Sequence, residues 1–487
     1  MRSLVAAFIV MVDLAIVAVC ISVAAPLRSS VAHASTVAMW LSLYCVGLLI
    51  VYRRSVGGVF LVFFAVFIVC SLGRAVLVYS LGFKSQNFSF ESLGAYDEYE
   101  IGSGLLLSIL SMMCLHAGAF IYAAARRQVS EPLEHASHEH ATAVLRRGGL
   151  VLLLVCILPA AYDFVSSLTV PYGQEREITL WTQVAALSTD VMLVALVFLV
   201  VGYGNYLVTA CAIAFYIPQY LLGARGEPTI AIVIILLLHF HVRSWNRHDG
   251  VHFRRLRARW IVISTIGVVL VANLFSVIGD QRGSQVFEGG SLLEIYTDKL
   301  LHSNPVYELV YELGVALAPL TATMRHVPLD IPYQYGKSFF YSLVCAVPDI
   351  YQVRPAYMTE LGNFPQTIAT LEGASFGASM LQELWLNFGW LTPLAMMLIG
   401  VALCGLSERF SVGRNPLKIA LVGVLLRVVF WWPRSSVAFS LRYLVVTLTF
   451  AVLVYAVSTV MVGRKGTHTG ALRNETTQEA PAEERRG

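Results

Sequence analysis

Apolar runs near 20 residues recur almost from one end of this chain to the other, and few folds can accept such a pattern. A helix rises about 1.5 Å per residue, so about 20 apolar residues cross a hydrocarbon layer of about 30 Å. Windows of this kind lie near residues 4–24, 36–52, 57–80, 101–125, 149–170, 181–201, 205–222, 228–242, 260–278, 386–406, 417–433 and 441–462. Only 13% of the 487 residues are charged and 57% are hydrophobic, against roughly 25% charged in soluble domains. Lipid must therefore solvate most of the surface. The expected fold is all-α: a polytopic membrane helix bundle of about twelve spans.

Charge sets the orientation. Arg53-Arg54, Arg126-Arg127, Arg146-Arg147, the run from Arg243 to Arg259, Arg409/Arg414/Lys418 and Arg464-Lys465 all fall on one side under this count. Positive residues collect on the cytoplasmic side, which places both termini inside. The net charge of +4 is thus a topology signal, and Arg254-Arg255-Leu-Arg257-Ala-Arg259 reads as an anchor to anionic lipid instead of a nucleic-acid patch. The one boundary that could invert the rest is Gly202-Tyr203-Gly204-Asn205, which is either a tight turn or a kink in one long helix. Arg74 and Arg427 fall inside spans, and Arg74 must face a cavity or a partner such as Asp13.

Seven of the eight cysteines lie in apolar runs, leaving Cys345 as the accessible thiol. A disulfide framework is excluded, and no Cys-x-x-Cys spacing suggests a metal. His135, His138 and Glu139 have a spacing that a metal could use, but they sit in a polar cytoplasmic connection where solvation explains them better. The apolar start up to Val31-Ala-His-Ala-Ser35 is long for a signal peptide and reads as the first span.

The divisions expected are an N-terminal bundle over 1–278, a large external loop over 279–384, C-terminal spans over 385–463 and a disordered tail over 464–487. An external stretch of this length is usually functional. Within it, Val306–Leu320 and Ser338–Val347 suit short amphipathic or re-entrant helices at the membrane surface. His326-Val-Pro-Leu-Asp-Ile-Pro332 marks a turn between them.

The loop closes on Gly373-Ala-Ser-Phe-Gly-Ala-Ser-Met-Leu-Gln-Glu383-Leu-Trp-Leu-Asn387-Phe-Gly389-Trp, which leads straight into a span. This resembles the Gly/Ser-rich, Glu and Asn-Phe-Gly signature of bacterial oligosaccharide repeat-unit polymerases, the Wzy-type O-antigen polymerases. Pro332-Tyr-Gln-Tyr-Gly336-Lys-Ser-Phe-Phe-Tyr341 with Val347-Pro348 is similar to the family's Tyr-x-x-Gly-x-Ser-Tyr segment. Gly223-Ala-Arg225-Gly226 is similar to its Gly-x-Arg-Gly element. The three matches span about 170 residues, each degenerate, and their order and placement carry the resemblance.

The resemblance implies a membrane glycosyltransferase of GT-C type, without a cofactor. It would move a growing glycan from undecaprenyl pyrophosphate onto a lipid-linked repeat unit at the periplasmic face of the inner membrane. The implied partners are these lipid-linked glycans, membrane lipid and a chain-length regulator. A pyrophosphate leaving group calls for fixed cations, and the fork of arginine gives two parallel bonds to phosphate. Arg225, Arg282, Arg434 and Arg442 lie at outer ends of spans, where orientation statistics disfavour them, although snorkelling to headgroups explains any single one. Glu383 is the candidate base, because desolvation where the loop re-enters would raise its pKa; the bland reading is a capping carboxylate. Ser379 stands four residues before it and could share its helix face. His326, Tyr335, Lys337, Ser379 and Asn387 complete the candidate substrate contacts.

Two other functions fit less well. The related O-antigen ligases carry a His-Asn element before the corresponding span, where this chain has Ser379 to Glu383. A transporter or flippase for a lipid-linked sugar would show internal symmetry and short loops, and the sequence has neither.

Overall fold

In the computed structural model, the structure describes residues 2–83, 93–125, 136–169, 179–221, 226–245, 304–346, 354–373, 377–412 and 415–475, and these form helices with no strand among them. Eight of the described helices are long and apolar enough to cross a membrane, and three shorter apolar ones cover Gly58–Gly73, Tyr206–Gln219 and Pro228–Arg243. Together they fall on eleven of the twelve expected spans. The twelfth, 260–278, lies outside the described residues.

The first part comprises α1 (Arg2–Ser22), α2 (Ala24–Ser29), α3 (Val31–Val51), α4 (Arg53–Val56) and α5 (Gly58–Ile68). Helix α5 runs on through π-helical turns at Val69–Gly73 and Val76–Ser80. Then come α6 (Glu98–Ala125), α7 (Ala136–Thr169), α8 (Leu180–Tyr203), α9 (Tyr206–Leu221) and α10 (Gly226–Trp245). Between α8 and α9 the chain breaks and does not merely kink. Gly204 takes the left-handed conformation at φ 62°, which favours glycine at a helix C-terminus. The side-chain oxygen of Asn205 then accepts the N–H of Val208 at 2.8 Å.

Helix α6 is the centre of the bundle. From Ile101 to Phe120 every residue but His116 is apolar or small, so no face prefers water, and all of them are buried. Its glycines allow backbones to meet. There is no room for a methyl on Gly118 beside the Met397 carbonyl, on Gly400 beside the Leu115 carbonyl, or on Gly102 beside Arg28. Small residues serve this purpose between membrane helices, where contact between helices takes the place of exclusion from water. By contrast α1, α3 and α7 turn Leu4, Phe8, Trp40, Leu154 and Leu158 outward, the faces expected to meet lipid.

An isolated charge inside the bundle is expensive, and the buried charges Asp13 and Arg74 both have polar partners. Asp13 accepts from Tyr44 Oη at 3.1 Å and lies 2.7 Å from Nδ1 of His116, with both Asp13 and His116 fully buried. Arg74 is therefore not the partner of Asp13. It donates to Tyr311 Oη at 2.7 Å and stacks on that ring at 4.2 Å. Arg74 stands between the two π-helical turns, and Gly314 packs directly on its backbone.

The described part of the stretch expected as an external loop, with the residues just after it, folds into α11 (Pro305–Leu313), α12 (Leu317–His326), α13 (Lys337–Cys345), α14 (Ala356–Gly362), α15 (Phe364–Glu372) and α16 (Met380–Phe388). Surface placement suits α13, which exposes Phe340 and Leu343. It does not suit α12, whose residues Leu317 to Thr323 are all buried, with α6 among its neighbours. Threonines are tolerated there because they bond back to the helix, Thr321 to the Leu317 carbonyl at 3.0 Å and Thr323 to that of Pro319 at 2.7 Å. The chain ends in α17 (Thr392–Val412), α18 (Pro416–Trp431) and α19 (Val437–Glu475). Helix α19 continues past Gly466 into the stretch expected as a tail.

Candidate active site

Helix α16 starts with a cap built from its own sequence. Ser379 Oγ accepts the N–H of Gln382, and the Gln382 side chain accepts the N–H of Ser379 in return, a reciprocal capping box. Ser379 thus stands just outside the helix and serves its first turn. It does not share the helix face of Glu383; it is the residue that caps the helix.

One helical turn on, Glu383 is 1% exposed. Its carboxylate accepts the backbone N–H of Val437, the first residue of α19. A helix leaves its first N–H groups without internal partners and carries partial positive charge there, so a carboxylate in this position is well matched. Ser436 completes the cap, its hydroxyl accepting from Phe439 N at 3.2 Å. Glu383 therefore joins the loop's last helix to the start of the last span. Its geometry is that of a capping carboxylate, on a helix other than its own.

Asn387 lies a further turn along and is fully buried. Its amide donates to Ser338 Oγ at 2.6 Å and to the Glu383 carbonyl at 2.7 Å, while its oxygen accepts from Gly336 N at 2.8 Å. Gln334 N donates to the Leu386 carbonyl at 2.9 Å. The Pro332–Ser338 segment is thus bound along α16, bringing two of the three sequence motifs into one unit. Gly389 finishes it. At φ 52° and ψ −129° it occupies a region open essentially to glycine, and a Cβ there would lie 2.8 Å from the Tyr333 ring. Trp385 donates to the Val327 carbonyl at 3.2 Å and meets Tyr333 and Trp390 edge-on.

Arg434 and Arg442 flank the junction that Glu383 makes with Val437. Arg434 ends the 3-10 turn Trp432–Arg434 and is half-buried; Arg442 is exposed on the second turn of α19. Among the described residues neither guanidinium makes a hydrogen bond or ion pair. Arg225 and Arg282 lie outside the described residues. Tyr335 and Lys337 are exposed, on the turn that Asn387 holds.

His326 belongs to a separate cluster. Its Nδ1 is 2.6 Å from Asp330 and its Nε2 2.8 Å from Glu372. Arg325 donates two 2.8 Å bonds to Glu100 and one of 3.4 Å to Glu372, and lies over the Tyr96 ring at 4.6 Å. These bonds hold the Arg325 pKa well above its ordinary value, and burial pushes the Tyr96 phenol up. The cluster ties α12 and α15 to the start of α6.

Three features escaped sequence reading. Arg28 stacks on Trp390 at 4.6 Å, next to the Asn-Phe-Gly motif. Asp190 accepts from Arg427 at 3.2 Å, with the guanidinium 3.7 Å from the Tyr443 ring. Asp163 accepts from Thr189 at 2.9 Å. Asp163 and Asp190 both interrupt apolar runs, which was a legible signal. For Arg28, position at the end of a span was the only signal.

No curated protein and no solved structure matches the chain. The profile of the family O-antigen polysaccharide polymerase Wzy matches residues 5–465, nearly the whole length, and so takes in both the bundle and the loop. An all-helical chain with this many apolar helices, whose two loop motifs close on one another through Asn387, belongs to the O-antigen polysaccharide polymerase Wzy family.

Proposed function

We propose that this protein polymerises undecaprenyl-pyrophosphate-linked repeat units at the periplasmic face of the inner membrane, with both termini in the cytoplasm. The observation that carries this reading is the junction of Glu383 with Val437 between Arg434 and Arg442, whose guanidinium groups make no hydrogen bond or ion pair among the described residues. In the reaction, an acceptor hydroxyl attacks the anomeric carbon of the donor chain. The carbon–oxygen bond to pyrophosphate breaks, a glycosidic bond forms, and the acceptor proton is released. Charge grows on the pyrophosphate, and fixed donors aimed at growing charge contribute most to such a step. Arg434 and Arg442 supply them, with Arg225 and Arg282 as further contacts.

Glu383 acts in this scheme as a positioning residue. Its carboxylate sets the start of α19 and so the placement of both arginines. The base reading requires the same carboxylate to leave Val437 and reach the acceptor hydroxyl. Ser379 and Asn387 hold the re-entry helix and its loop in register. His326 serves the ion cluster that fixes α12 and α15. A chain-length regulator would act on the protein from outside this unit.

The test is a surface-glycan ladder from a deletion strain with and without the intact gene. Loss of the ladder down to single repeat units, restored by the gene, supports polymerisation. An unchanged ladder in the deletion strain overturns it and favours transport.

A further inference from the structure

Tyr335 combines three properties that rarely coincide. It is a bulky residue at positive φ (49°), the one non-glycine in that state among the described residues. Its side chain is 79% exposed. Its neighbours on both sides are fastened to α16, Gln334 through Leu386 and Gly336 through Asn387. A left-handed conformation at a bulky aromatic costs free energy and persists only where the surroundings impose it. Here a buried asparagine imposes it, and the outcome is a flat ring held out from a rigid turn. Glycine would accept this backbone without strain, and a buried ring would explain itself by packing; neither describes Tyr335. The ring meets Tyr333 edge-on, with centroids 6.4 Å apart, and Lys337 is exposed two residues on. The turn connects through Asn387 and the Glu383 carbonyl to the α19 junction between Arg434 and Arg442.

We infer that Tyr335 is a sugar-binding residue, its ring face stacking on a pyranose of the repeat unit while Lys337 donates to an oxygen of the same saccharide. This rests on the polymerase reading and names a specificity contact for it. A pyranose presents one face of C–H groups, which an aromatic ring covers well, and a rim of hydroxyls, which an ammonium can reach. Holding the ring in place beforehand lowers the ordering cost of binding. The competing explanation is an aromatic side chain resting at the lipid interface.

The experiment complements a deletion strain with the intact gene and with Tyr335→Phe, Tyr335→Leu and Tyr335→Gly at matched protein levels. Ladders are compared, and each purified protein is assayed with the lipid-linked repeat unit extracted from the deletion strain. The stacking role predicts that Phe keeps the ladder. Leu and Gly lose it, with KM raised about tenfold or more and kcat within about threefold. Gly also relieves the strained backbone, so its thermal stability is kept or raised and loss of folding does not explain lost activity. Leu keeps an apolar anchor without a flat ring, so a full ladder with Leu, or with Gly, overturns the assignment. Failure of Phe overturns it as well, by moving the role to the hydroxyl. If the intact gene itself restores no ladder, the polymerase reading falls too, which separates the two failures.

Discussion

The carboxylate of Glu383 accepts the backbone N–H of Val437, so the last helix of the loop holds the first turn of the last span. Two roles for Glu383 separate cleanly on substitution. Glutamine keeps an oxygen to accept this bond but cannot take up a proton as a carboxylate does. Positioning predicts that Glu383→Gln retains a shortened ladder, whereas Glu383→Ala loses about 1–3 kcal/mol of stability together with the ladder. A Gln variant of unchanged thermal stability and no detectable polymer would identify the base instead.

Asn387 makes three bonds from one buried amide. Asn387→Ala leaves the Gly336 N–H and the Ser338 hydroxyl without their partner, at about 1–3 kcal/mol for each buried group left unpaired. Combined with Ser338→Ala, the losses should fall short of additive, since the second change removes a group that the first has orphaned. Denaturation of the four proteins in detergent measures the coupling, and additive losses would contradict a shared bond.

Gly389→Ala meets two obstacles together, the backbone conformation and the Tyr333 ring. The backbone term alone costs on the order of 1–3 kcal/mol. Tyr333→Ala clears the ring but leaves the dihedral strain, so it should rescue Gly389→Ala only in part. Full rescue would show that contact alone requires glycine here.

Arg434 and Arg442 differ in burial, and their substitutions should differ accordingly. A phosphate contact at half-buried Arg434 is less screened than one at exposed Arg442. Arg434→Gln is expected to reduce polymerisation about tenfold or more, a loss of about 1.4 kcal/mol or more of transition-state stabilisation. Arg434→Lys recovers only part, because lysine lacks the fork. Arg442→Gln has the smaller effect, which shrinks further at high salt. Equal ladders from all of these variants would place the pyrophosphate elsewhere.

Eleven of the twelve expected spans coincide with apolar helices because a 20-residue apolar run has few alternatives, whereas Gly202 to Asn205 read equally as a turn or a kink until Gly204 and Asn205 are seen as a helix end and a cap. Loop motifs were legible as short patterns, but not the partners of their residues. Nothing in the spacing of Gly336 and Asn387, 51 positions apart, says that they touch. For Glu383 the sequence offers a base or a capping carboxylate but not the group it caps, a backbone N–H 54 positions away, and backbone groups leave no trace in residue identity. Arg74 was assigned to Asp13 by charge alone. Tyr311 and His116 took those roles, because an aromatic ring can hold a buried cation and an imidazole can meet a buried carboxylate.

The glycine contacts of α6 with α17 bear on how the protein meets bilayers of different thickness. With Gly118 against Met397 and Gly400 against Leu115, the two helices cannot slide past each other without a carbonyl colliding. Helix α17 continues from α16 through the short turn at Gly389–Leu391, so the height of the Glu383 junction is fixed by the protein's own axis. Hydrophobic mismatch must then be taken up by tilt of α1, α3 and α7 or by deformation of lipid. A core locked in this way is expected to act as a ruler to which the membrane adjusts.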